Sequence, residues 1–138
     1  MPESQFLNVD LEIGAKGDLG VLVEELSSRL FVLFTGKLGG LVCAHYEVTK
    51  LTKTADATIR ELVRVLGRLG PAAKRVWRKA RVRDFNIGIQ CELEPRSFEL
   101  AIEAETLAQV AKLGGRIVVT VYPPDKPAKK RRKPTRRR

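Results

Sequence analysis

Side chains suited to soft-metal or nucleophilic chemistry are scarce in this sequence: one histidine, His45, and two cysteines, Cys43 and Cys91, stand among 138 residues. Three such ligands in no recurrent spacing cannot close a four-coordinate structural zinc site, so neither metal nor cofactor is expected. No apolar run approaches the roughly 20 residues of a membrane-spanning helix. The best candidate, Leu30 to Phe34, has the length of a strand. The opening Met1-Pro2-Glu3-Ser4-Gln5 has no basic stretch leading into an apolar one, so no secretory signal is expected. A cytoplasmic location follows, where both cysteines stay thiols, with a Cys43–Cys91 bridge as the oxidised alternative. Glycine-rich phosphate loops are also missing. Gly36-Lys-Leu-Gly-Gly40 lacks the P-loop spacing and its Lys-Ser/Thr end, Gly14-Ala-Lys-Gly17 is a plain turn, and there is no Gly-x-Ser-x-Gly elbow.

What is present is an ordinary soluble composition, 43% hydrophobic and 30% charged, with a mean hydropathy of −0.16. That suits one domain with a real core. The net charge of +10 is unevenly placed. Lys126, Lys129, Lys130, Arg131, Arg132, Lys133, Arg136, Arg137 and Arg138 account for nine cations, with no acid among them. Taking those nine from 26 leaves 17 Lys and Arg against 16 Asp and Glu in residues 1–125, a net charge of +1. The expected organisation is a globular domain over residues 1–124 followed by a disordered polybasic tail, 125–138. The tail has no large apolar residue with which to offset its ordering entropy.

Periodicity supplies the elements of the domain. Leu7, Val9, Leu11 and Ile13 alternate with Asn8, Asp10 and Glu12, as in a half-buried strand. Asp18 then caps a helix to about Ser28. Leu30–Thr35 and Leu41–Val48 read as a hairpin across Gly36–Gly40. Asp56 opens a helix with Ile59, Leu62, Val63, Leu66 and Leu69 inward. Pro71 starts a second, with Val76, Trp77 and Ala80 inward. Phe85, Ile87, Ile89 and Cys91 form another strand face, as do Phe98, Leu100 and Ile102. A helix over Ala104–Leu113, stopped by Gly114-Gly115, precedes a last strand, Arg116–Tyr122. The order βαββ-αα-ββαβ predicts an α+β fold: a mixed, largely antiparallel sheet with helices packed on one face.

Two groups of residues invite chemistry. Cys43, His45 and Glu47 share one face of a strand, but neighbours at i and i+2 stand roughly 6–7 Å apart, too far for a nucleophile and its base. No active site is expected, and the pair is read as partly exposed or at a sheet edge. In Phe85-Asn-Ile-Gly-Ile89, Gly88 permits close approach of a ligand or of a helix packed across the sheet. Charge is uneven too. Nine cations lie between Arg60 and Arg83 against Glu61 alone, while five acids lie between Glu92 and Glu105 against Arg96 alone. The plainer and preferred expectation is that these faces pair with each other or sit in water. The other is a second basic surface that extends the tail's grip.

The tail is the candidate site. Its cations suit non-specific contacts to nucleic-acid phosphates, which position a protein without reading sequence. It has no aromatic on which bases would stack. Acidic protein, anionic lipid headgroups and a purely solubilising role are alternatives, and nucleoid association would follow from nucleic-acid binding.

Leu7-Asn-Val-Asp-Leu-Glu-Ile13, Phe85-Asn-Ile-Gly-Ile89, Glu94-Pro-Arg-Ser-Phe-Glu-Leu-Ala-Ile102 and Val118-Val-Thr-Val-Tyr122 together resemble a bacterial family of small α+β domains of unknown function. The resemblance covers residues 6–122. It implies a bacterial cytosolic protein and supplies no activity. Small proteins of this kind include immunity or antitoxin partners, so the resemblance also admits a role in binding and blocking another protein.

Overall fold

The computed structural model describes residues 3–93 and 97–124. Strict alternation makes Gln5–Ala15 a strand, β1, with Val9, Leu11 and Ile13 buried on one side. Helix α1 (Gly20–Ser27) has Leu19 at its N-cap, one residue past the expected Asp18, whose carboxylate accepts the Gly20 N–H at 2.7 Å. Strands β2 (Leu30–Leu38) and β3 (Leu41–Val48) form the expected hairpin. Its two-residue turn places Gly39 and Gly40 at φ 57° and 80°, which glycine adopts at least cost. Helices α2 (Ala55–Gly67) and α3 (Pro71–Lys79) lead to β4 (Val82–Gln90), α4 (Ala104–Lys112) and β5 (Arg116–Tyr122).

The sheet order is β2-β3-β1-β4-β5, antiparallel except for β4 and β5. That parallel pair needs a crossover, and α4 supplies it. Leu22 and Leu26 of α1, Ile59, Leu62 and Leu66 of α2, Trp77 of α3 and Val110 of α4 join Leu11, Tyr46 and Phe85 of the sheet in one core. The helices therefore cover one face of the sheet, as the α+β reading expected, and leave the other open.

Three further expectations need correction. Phe98, Leu100 and Ile102 are each partly buried between exposed neighbours, yet the segment forms no strand. Both edges of β4 are already taken by β1 and β5, so no ladder is open to it there. The chain instead runs to the helix layer, where the Glu103 N–H donates to Asp56 at 3.0 Å. The element order is thus βαββ-αα-βαβ. Second, Leu7 does not face inward with Val9. A register shift between Phe6 and Asn8 sends it to the open face, and Phe6 packs on the core in its place; one extra residue in a strand exchanges its faces. Third, α2 is capped by Thr54, whose Oγ1 accepts the Ala57 N–H at 3.0 Å, while Asp56 sits in the first turn.

Among the described residues, no helix is long and apolar enough to cross a membrane. Residues 125–138, read above as a tail, lie outside the described residues.

Candidate polyanion-binding surface

Helix α3 has two faces with little in common. Ala73 and Trp77 are buried, while Lys74, Arg75, Arg78 and Lys79 are exposed. Arg78 and Lys79 occupy the last turn, where cations complement the helix dipole, so the fold itself gains from part of this charge. On α2, Arg60 pairs with Asp56 at 3.2 Å and Arg64 with Glu61 at 2.6 Å. Among the described residues, Arg68, Lys74, Arg75, Arg78, Lys79 and Arg81 form no ion pair. Nor do Glu92, Glu99, Glu103 and Glu105. Of the two outcomes expected, pairing across the fold or exposure to water, the described residues show the second: the α3 cations face solvent and form no ion pair among them.

The open face of the sheet has the opposite character. Side by side stand Asp10 and Glu12 of β1, Glu47 of β3 and Asp84 of β4, by the register of the strands. Asn8 donates to Asp10 at 3.0 Å and also to Glu47. Asn86 donates to Glu12 at 3.3 Å and accepts from Thr120 at 2.8 Å. Burial raises Asp10 above the usual aspartate range, Glu12 and Glu47 push it further, and His45 pulls it back. Arg116 of β5 binds Asp84 through two bonds, at 3.0 and 2.8 Å, and neutralises that end of the row. A concavity of about 280 Å³ lies between Leu7, Asp10, Leu33, Glu47, Asn86 and Tyr122. Gly88 lies in its wall and not beneath a helix, so helix packing does not explain that glycine.

Cys43, His45 and Glu47 do share the open face, but their contacts diverge. The Cys43 thiol is buried and points to the Leu41 carbonyl at 3.7 Å. The His45 ring lies against Phe34 with centroids 5.6 Å apart, and Glu47 accepts from Asn8. Cys43 is thus neither exposed nor on an edge strand, because β2 covers that side of β3. Cys43 stands opposite Gly14, and Cys91 follows Gln90, which stands opposite Gln5. Nine residues of β1, roughly 30 Å, separate the two positions. A bridge needs Cα atoms within about 7 Å, so both thiols are free.

The residues proposed from sequence to hold a polyanion, Lys126, Lys129, Lys130, Arg131, Arg132, Lys133, Arg136, Arg137 and Arg138, all lie outside the described residues. Two features escaped the sequence reading. One is the exposure of the β2 edge: Phe31 is 58% exposed, and Val32, Leu33 and Leu38 are nearly as open. An apolar run signals a strand but not whether a neighbour covers it. The other is a groove on the helix side of about 370 Å³, walled by Val63, Leu66, Leu69, Trp77 and Leu113 with Lys74, Arg78, Gln109 and Lys112 at its margin. Comparison with protein-family models, curated proteins and solved structures found no match.

Proposed function

We propose that this α+β protein is a non-enzymatic binding module that holds nucleic acid, or another polyanion, non-specifically through Lys126 to Arg138. The observation that carries this reading is the placement of nine cations and no acid in the last thirteen residues. The exposed row on α3, in no ion pair among the described residues, supports it by adding a second cationic surface. Phosphate neutralisation makes such binding steeply salt-dependent, with a slope of about −0.9 per contact on duplex DNA and near −8 if all nine tail cations engage. Fluorescence anisotropy on random-sequence duplex tests it with full-length protein. Replacing the nine tail cations by glutamine removes most of the slope, and Arg75→Glu with Lys79→Glu reduces it by about 2. Equal affinity and slope for all three proteins would refute it.

The β2 edge favours a second reading, in which the folded domain binds and blocks a protein partner. An edge strand with exposed Phe31, Val32, Leu33 and Leu38 offers unpaired backbone and apolar side chains to another strand. A nuclease-resistant, stoichiometric complex that is lost in Phe31→Lys/Leu33→Lys supports this reading. Recovery of nucleic acid alone counts against it.

A further inference from the structure

The groove on the helix side is built from three helices with a division of labour. Half-buried Val63 of α2 and Leu113 after α4 form its apolar floor, over the buried Leu66 of α2, Leu69 of the link and Trp77 of α3. Lys74 and Arg78, one turn apart on α3, stand at one margin, and Lys112 of α4 stands at another. Among the described residues, no carboxylate lines it and none of the three cations is in an ion pair. The Trp77 Nε1–H already donates to the Leu113 carbonyl at 2.9 Å, so the nearly buried indole leaves the groove no free donor. Recognition of charge is left to the cations, with the Gln109 amide beside them.

Gly67 sharpens the case. It is the last residue of α2, where glycine is the poorest helix former other than proline. Its backbone is not in the left-handed region, and a Cβ there would meet no atom within 4 Å. Neither backbone conformation nor close packing calls for glycine. What its missing side chain does is deepen the groove.

We propose that this groove binds a small amphiphilic anion, an alkyl or acyl chain ending in a single anionic head, with the chain against Val63 and Leu113 beside the Trp77 indole and the head among Lys74, Arg78 and Lys112. A volume of about 370 Å³ falls within the 300–1,000 Å³ typical of small-ligand sites. A concave apolar surface rimmed by one sign of charge concentrates ligands of the opposite sign. All of the groove's lining residues precede the tail in sequence. It also uses the Lys74–Arg78 row of α3, whereas Arg75 and Lys79 lie on the adjacent row.

Trp77 is the only tryptophan and serves as the reporter. Full-length protein is titrated with decanoate below its micellar concentration, and with decanol, decyltrimethylammonium and acetate. Decanoate produces a saturable emission change. Decanol binds about tenfold more weakly, and the cationic amphiphile and acetate give no saturable change. Lys112→Glu weakens decanoate about tenfold. Gly67→Leu, whose Cβ meets no atom within 4 Å, puts side-chain volume into the groove and abolishes the response while circular dichroism and Tm show a folded protein. Equal binding of decanol or of the cationic amphiphile, an unchanged response in Gly67→Leu, or indifference to Lys112→Glu overturns the proposal. Tighter saturable binding of an acidic amphipathic peptide overturns it too, by assigning the groove to a protein partner. Loss of DNA binding in the tail variant leaves these outcomes unaffected, so the two readings fail separately.

Discussion

Replacing Gly115 by alanine tests how tightly the α4–β5 corner is packed, and its neighbour Gly114 is the control. Both glycines follow α4, in a turn where the Gly114 N–H bonds to the Ala111 carbonyl and the Gly115 N–H to the Val110 carbonyl, each at 2.9 Å. That paired pattern is a Schellman motif, and it sets Gly114 at φ 70°. Alanine at Gly114 meets the left-handed penalty of about 1–2 kcal/mol, partly offset by the stiffer unfolded chain. Its nearest neighbour is the Arg83 guanidinium, a flexible end that can move aside. Gly115 has no such backbone demand, but its Cβ would lie 2.6 Å from Cε1 of Phe85 and 3.1 Å from Cγ1 of Val110. Ordinary contacts are about 3.5–4.0 Å, so something must move by roughly 1 Å. Phe85 is 0% exposed and has nowhere to go. Overpacking of this kind costs about 1–3 kcal/mol, and after the unfolded-state gain Gly115→Ala should cost about 1–2 kcal/mol. Urea unfolding followed by Trp77 fluorescence reads it, with the m value checking two-state behaviour. Phe85→Leu supplies the decisive background. It removes the ring atoms in conflict, so the cost of Gly115→Ala shrinks there by more than about 0.5 kcal/mol while that of Gly114→Ala is unchanged. A neutral Gly115→Ala, or equal costs in both backgrounds, would refute the argument.

Three further outcomes are expected. Thr54→Ala removes the side-chain cap of α2 and lowers stability by about 1 kcal/mol, readable as a shifted urea midpoint. Gly67→Ala, at the solvated end of α2, raises stability by up to about 1 kcal/mol because no atom opposes the new methyl and no left-handed backbone is required. Asp10 has a raised pKa in the folded protein through burial and the nearby Glu12 and Glu47. The folded state therefore holds that proton more tightly than the unfolded chain, and the group's contribution is most favourable at low pH and lost as pH rises through its folded value. Asp10→Asn should accordingly raise the urea midpoint at neutral pH, with the gain shrinking as pH falls into the ordinary aspartate range. A pH-independent difference would show that burial of the charge is not the cause.

Much of the fold can be read along the chain because the signals are local. Alternation over Val9, Leu11 and Ile13, the apolar stripe of Ile59, Leu62 and Leu66, Pro71 at a helix start and Gly114-Gly115 at a helix end each act within a few residues. Other features depend on residues far away. The alternation of Phe98, Leu100 and Ile102 is genuine, but a strand also needs a free edge, and β1 and β5 had taken both edges of β4. Leu7 carries the period of its neighbours, and only the pairing with β4 shows the register shift that turns it outward. Thr54, and not Asp56, caps α2, a difference of two residues that depends on where the helix first closes.

The uneven charge of the chain follows the same division. Composition alone establishes that nine cations and no acid crowd residues 126–138, since a count of charges does not depend on folding. Whether Lys74, Arg75, Arg78 and Lys79 would be neutralised by the acids after Glu92 was a question of distance. Only the tertiary structure decides distances: it turns the α3 cations to solvent, sets Asp10 and Glu47 together on the opposite face of the sheet, and brings Lys112 to the groove beside Trp77. Local patterns fix which side of an element is wet. The packing of helices and the order of strands determine what lies across from it.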